Sequence, residues 1–538
     1  MATEADELIL SANLPRTRDL SFVGRFHHNY GFEEKQFEYL LQQKDLWGDK
    51  LFYINEVPFK QAVANGQHHV RQVPEVTSDE LSFPKFEGSE VSESDYKARF
   101  GCDDPIDINF TSSQKESKKA LRYGEALNLK ELYKRNAIAL NVGGIVTAMK
   151  WLPYGSLLAV AVAYHKDGLS KAITSPSMSI FPHNQDKSDV SSCIQFWKYD
   201  SGKNSLSLRK VLLTSSFGTS STINWLPLKV RDGNMGVLSA LFSDGKVHFF
   251  RIDLPATGTQ YIEVATASWT IAMTDERDNN SHLPITTYDV FDETKIIVGT
   301  LDGAIAEFVL PGSDEQPEVP SFVEYVVDSA ISTVTVAPVF NGHVLLINTT
   351  TTRSFAILYE NIRQSRVETA YTISSLQPRY HRGLRIFVYP DSAESIGYSF
   401  ARHPHQKHSL LLRTEYISSF HTSEYLDHPF ALVGNVAGDL YVINIARKIF
   451  GVPKAHNKLI VPLKVWSVSL EDDRQTLRLS GDYMPTTADK SDVAYSFTPA
   501  EIGISACAWI EDLDGSSAYA MSTYSGLMIL ERLDPQLT

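Results

Sequence analysis

The chain has 538 residues, 43% hydrophobic and 21% charged, with a formal net charge of −14. That acidity repels polyphosphate at long range and disfavours nucleic-acid binding by the chain alone. No apolar run approaches the ~20 residues that cross a bilayer, and the three cysteines, Cys102, Cys193 and Cys507, are too scattered for a disulfide framework or a zinc ribbon.

The acidic start MATEADELIL lacks the basic region and apolar stretch of a signal peptide, so a reducing compartment is expected. Met1 to Arg18 is short and polar and reads as an arm. Glu33 to Leu46 sets Phe37, Leu40 and Leu41 at helical spacing and predicts one amphipathic helix. The stretch after it is aromatic-rich and reads as irregular. Trp47, Phe52, Tyr53 and Phe59 lie there, in a segment too small to bury them, which makes them candidate partner contacts. Val73 to Asp95 is acidic and carries Ser and Pro, the composition of an exposed linker. Ser112 to Asn136 holds seven basic residues and is expected to carry another helix up to Tyr133, its charges forming a solvated face.

A repeat begins at about Gly144. The strand around Ala137 to Val142 precedes it and is expected to close a ring by joining the last sheet. Four hairpins then share one pattern: Gly236–Ile252, Lys295–Leu310, Phe430–Ile445 and Ala518–Leu533, with turns at Asp244-Gly245, Asp302-Gly303, Ala437-Gly438 and Ser525-Gly526. Period-two alternation around a two-residue turn reads as type I′ hairpins, with φ > 0 at both central residues. Short strands of aliphatic and small residues precede several of them, ending at Trp151, Trp225 and Trp509. Small side chains suit the crowded inner strands of a propeller, and the tryptophans are expected to pack between neighbouring sheets. The turn glycines are spaced more widely than the ~40–45 residues of a typical blade, so long loops are expected, as at Tyr164–Val190 and Gly481–Asp492. The expected fold is all-β, a seven-bladed WD40-like β-propeller with a largely irregular, partly helical N-terminal extension. Its divisions are an extension over 1–136, a propeller over 137–533 and a tail over 534–538.

The chain offers no catalytic set. GxSxG, HExxH, Walker A and a dinucleotide-binding glycine motif are all absent, so no enzyme, cofactor or metal is expected. His403, His405 and His408 cluster but lack a carboxylate or Cys at ligand spacing, and read as a turn between strands. The densest basic and aromatic patch of the propeller is Arg379, Tyr380, His381, Arg382 and Arg385. Arginine interleaved with an aromatic residue can contact phosphate and stack on a base, or meet an acidic partner.

The layout as a whole, with Val142–Val160 (VGGIVTAMKWLPYGSLLAV) and the closing hairpin, resembles the WD-repeat propeller subunit of the B-box-binding (tauB) lobe of transcription factor IIIC, the RNA polymerase III general factor. The resemblance implies a nuclear, non-enzymatic scaffold. It implies pairing with a second propeller subunit and with a larger DNA-binding subunit, promoter DNA being met mainly within the complex. It carries no fixed site residues. The competing reading is a peptide-binding WD adaptor of a chromatin, trafficking or ubiquitin-ligase complex.

Overall fold

In a computed structural model of the chain, the described residues are 22–48, 50, 53–65, 71, 81, 83–100, 105–112, 115–169, 190–229, 234–275, 278, 281–311, 319–339, 342–369, 376–411, 415–450, 462–481, 483–485 and 498–533. The N-terminal arm, Phe52, Cys102, most of the loop after Tyr164, most of the Gly481–Asp492 insertion and the tail lie outside them.

The four repeated hairpins form, but each pairs one residue away from the register that a two-residue turn would set, because three residues, not two, make the loop. Leu241 pairs Val247, Gly299 pairs Ile305, Gly434 pairs Leu440 and Ser522 pairs Met528. The turn type differs from the expectation. Only the glycines have positive φ, between 74° and 94° at Gly245, Gly303, Gly438 and Gly526. Each glycine N–H donates to the carbonyl three residues back: Phe242, Thr300, Asn435 and Thr523. This is a type I turn closed by one left-handed residue, a geometry in which Asp, Ala or Ser precedes the glycine without strain.

These hairpins are the middle of antiparallel sheets set around a channel, an all-β propeller. The innermost strands are Ile145–Trp151, Ser220–Trp225, Ile285–Val290, Ile331–Val339, Arg379–His381, Ile417–Thr422 and Ile504–Trp509. Six blades, not seven, are each written by one stretch of chain, beginning with the first six of these strands. The remaining sheet is a composite. Its strands 504–509, 518–523 and 527–532 are completed by Asn136–Asn141, which pairs antiparallel from Arg532 to Leu527 and is buried throughout. Pairing the two distant ends of the ring leaves no open edge there.

Two additions to the ring could not be read from periodicity. Gln260–Thr266 leaves the second blade and lies parallel to Ser205–Leu213 of the first, and Glu87–Glu90 pairs beyond it. The basic run before the ring is not a helix. Ile106–Thr111 and Glu116–Leu121 make a hairpin that extends the sixth blade, parallel to Leu477–Ser480. Only one helical turn, Lys130–Tyr133, remains of the expected helix.

The amphipathic helix forms at Glu34–Trp47, and a second one at Glu56–Ala64 replaces the expected irregular stretch. Both are covered by the chain itself. Trp47 and Phe59 are fully buried in one cluster with Leu40, Phe430 and Ile443. Trp47 meets Phe430 edge-on at 5.4 Å, and its carbonyl accepts from Asn444 Nδ2 at 2.9 Å. Tyr53 is half-buried. The expectation that this segment needs a second protein to cover it is therefore corrected for Trp47 and Phe59, which the fifth and sixth blades and the last sheet absorb. The three tryptophans do pack between sheets: Trp225 of the second blade meets Phe196 of the first at 6.0 Å, and all three are buried.

Candidate functional site

The inner strands end in charged residues, and the ring brings those ends together at one mouth of the channel. Lys150 lies near the end of the first inner strand, Asp289 of the third and Arg379 at the start of the fifth. Glu424 and Glu511 follow the sixth and the last. Glu424 accepts from Lys150 Nζ at 2.6 Å and from Arg379 Nη1 at 2.9 Å, so one carboxylate ties three blades. Glu511 is fully buried and clamps the loop that carries Glu424. It accepts from Glu424 N at 2.7 Å, Leu426 N at 3.1 Å, Tyr425 N at 3.2 Å and Ser423 Oγ at 3.0 Å. Asp289 accepts from Val290 N at 2.9 Å and, across to the fourth blade, from Val336 N at 2.8 Å.

Burial sets the electrostatics here. It pushes Asp289 up to about 6 and Glu511 up to about 7, the latter helped by the Glu424 charge and opposed by the amides. Burial also works against Glu424, but Lys150 and Arg379 beside it outweigh that and hold its carboxyl well below the usual range. Lys150 is lowered, first by burial and then by Arg379, with Glu424 opposing. His421, facing Lys150 and Arg379, is fully buried and held well below the ordinary histidine value.

Beside this network lies a cavity of about 60 Å³, lined among others by Arg71, Asp289, Arg379, Tyr380, Arg382 and Glu424. Arg71 reaches it from the N-terminal region. Its N–H donates to Tyr425 O at 3.2 Å, its carbonyl accepts from Tyr154, and its guanidinium stands 5.0 Å over the Tyr425 ring.

The basic patch is divided by the fold. Arg379 and Arg382 line the cavity. Tyr380 is buried with its hydroxyl on Pro338 O at 2.9 Å, and is no exposed stacking platform. His381 is fully buried, with Nδ1 2.9 Å from Asp427 Oδ1. Arg385 is committed to Glu33 through both terminal nitrogens, at 2.6 and 3.1 Å, and so anchors the N-terminal helix. The reading of all five as one nucleic-acid surface is corrected: burial takes Tyr380 and His381, and ion pairs to Glu33 and Glu424 take Arg385 and one nitrogen of Arg379.

The expected candidates did not include Lys150, Asp289, Glu424, Glu511 or Arg71. A signal existed for the first two. Lys150 in TAMKW and Asp289 in TTYDV each interrupt an apolar inner strand near its end. Among the described residues no group of three His, Cys, Asp or Glu is placed to hold a metal ion, and no helix is long and apolar enough to cross a membrane.

The ring and its charged channel define a WD-type β-propeller. The chain is similar to the transcription factor tau 91 kDa subunit of Saccharomyces cerevisiae, 28% identical over 418 residues, which cover 74% of this chain and 58% of that protein. That similarity, with the propeller, supports the resemblance to a WD-repeat subunit of transcription factor IIIC. The chain thus matches somewhat over half the length of that relative. No family model matches. Among solved structures, Raptor of Chaetomium thermophilum aligns with a TM-score of 0.45 and 11% identity, over 73% of this chain and 29% of that one.

Proposed function

We propose that the chain is a non-enzymatic scaffold subunit of a nuclear, multi-protein transcription factor of the transcription factor IIIC type. In that role it pairs with a second propeller subunit and supports a larger subunit in binding the B-box promoter element of transfer-RNA genes. The observation that carries the reading is the 418-residue similarity to the tau 91 kDa subunit. The net charge of −14 fits a subunit that leaves most of the DNA contact to others. The proposed division is an extension over 1–136 that packs on a propeller over 137–533. Partner contacts are proposed at the channel mouth, through Arg379 and Arg382.

Affinity purification of the tagged full chain from cells, followed by mass spectrometry, tests this. Subunits of the RNA polymerase III machinery are expected. Recovery of ubiquitin-ligase or coat subunits in their place overturns it. In a mobility-shift assay at moderate salt, the chain alone is expected to show no tight duplex binding. Sequence-specific nanomolar binding by the chain alone refutes its dependence on partners.

A further inference from the structure

We propose that the cavity at the channel mouth is a binding site for a carboxylate side chain, presented by an acidic peptide segment of a partner protein and gripped by Arg382 and Arg71. The proposal is independent of which complex the chain joins.

The first ground is an excess of donors over acceptors. The neutral lining groups are spent on the fold. Gln377 Nε2 donates to Val334 O at 2.7 Å, Thr335 Oγ1 to Pro378 O at 2.9 Å and Tyr380 to Pro338 O. Both Asp289 oxygens already accept backbone amides, and Glu424 is held by Lys150 and Arg379. The guanidinium of Arg382 donates no hydrogen bond among the described residues, and Arg379 Nε is buried without an acceptor. A buried donor without an acceptor, as at Arg379 Nε, is costly, and an incoming carboxylate matches the forked geometry of the half-buried Arg382 guanidinium.

The second ground is charge. Arg71, Arg379 and Arg382 line the cavity against two carboxylates, Asp289 and Glu424. Burial, and then the nearby Arg71 charge, lower Arg382, with Tyr380 and Asp427 opposing, whereas burial of Arg71 is outweighed by Tyr425, Glu424, Asp289 and Glu293, which raise it. The third ground is size. About 60 Å³ admits a few waters or one carboxylate with its methylene group, and no nucleobase. A phosphodiester backbone cannot leave its strand to enter so small a recess, and the −14 net charge repels a polyanion, whereas a short acidic peptide carries far less charge to the surface.

The test uses the purified full chain with fluorescein-labelled hexaglutamate as probe, read by fluorescence anisotropy at low salt. Hexaglutamine is the neutral control, and Lys118→Ala the control for general surface attraction, since Lys118 is exposed on the added hairpin. Arg382→Ala is expected to weaken binding at least tenfold and Lys118→Ala less than twofold. Arg382→Lys should recover part of the loss, because charge returns without the fork. The melting curve of Arg382→Ala should match wild type. Equal binding by wild type and Arg382→Ala overturns the proposal. So does duplex DNA that binds more tightly than hexaglutamate in an Arg382-dependent way.

Discussion

A buried ion pair beside the closing strand is expected to reinforce the closure of the ring, and Arg135→Met is the perturbation that tests it. Arg135 precedes the closing strand and is almost wholly buried. Its guanidinium bonds both oxygens of Glu531, on the last strand, and it also donates to the carbonyls of Gly481 and, at 2.9 Å, Val465. It lies between the rings of Trp466 and Tyr483, 4.0 and 4.1 Å from their centroids. Glu531 is fully buried and accepts further bonds from Trp466 Nε1 and Tyr483 at 2.8 Å and from Tyr519. Methionine restores the volume and removes the charge, leaving a carboxylate buried with neutral donors alone. Breaking such a pair costs about 3–5 kcal/mol, a large share of the ~5–15 kcal/mol that holds a typical domain together. Loss of the donors to Val465 and Gly481 acts in the same direction. The midpoint of guanidinium unfolding should fall accordingly. Arg135→Met combined with Glu531→Met should regain part of the loss, since no charge is then stranded. It should stay below wild type, because Trp466, Tyr483 and Tyr519 lose their acceptor. A single variant within about 1 kcal/mol of wild type refutes the latch.

Valine at the turn glycines should cost unequally. At Gly303 a Cβ would meet Val327 O at 2.0 Å, on top of the strain of a φ of 94°, so Gly303→Val should lose about 3–5 kcal/mol. At Gly245 the nearest atoms stand at 3.0 Å, and the loss should be about 1–3 kcal/mol. Thermal melts of the two variants check the order, and equal losses contradict it. Acid should loosen the short helix Phe22–Tyr30 through His403, whose ring stacks on His28 of that helix at 4.4 Å. Burial lowers His403 to about 4, so the folded chain binds fewer protons there than the unfolded chain does. That stability is complete above the ordinary value of 6.5 and is lost as pH falls towards 4. After solvent screening it amounts to about 1 kcal/mol between neutrality and pH ~5. Unfolding titrations of wild type and His403→Gln should show a shallower acid slope in the variant, and identical slopes would falsify the assignment. Lys150→Met should strand part of the Glu424 charge, leaving Arg379 alone to hold it, at about 2–4 kcal/mol. Loss of less than 1 kcal/mol on chemical unfolding would show that Arg379 suffices.

The hairpins were legible because their physics is local. Alternation at period two and a glycine able to take positive φ specify strand, turn and strand whatever surrounds them, and Gly245, Gly303, Gly438 and Gly526 each mark one. Asn136–Asn141 was legible for a similar reason: an apolar strand before a repeat has a ring edge to fill. The fate of Trp47, Phe59 and the arginine patch was not legible. An aromatic segment too small to bury itself has the same sequence whether a partner or its own chain covers it. The choice fell to the face that the fifth and sixth blades and the last sheet offer once the ring exists. In the same way RYHRGLR is basic as a string, but Glu33 and Glu424, hundreds of residues away or in another blade, claim Arg385 and Arg379. The sequence alone thus determined the hairpins and the closure. Only the tertiary structure decided which charges neutralise one another and which, at Arg382, still face open space, because pairing depends on distances that chain order does not set.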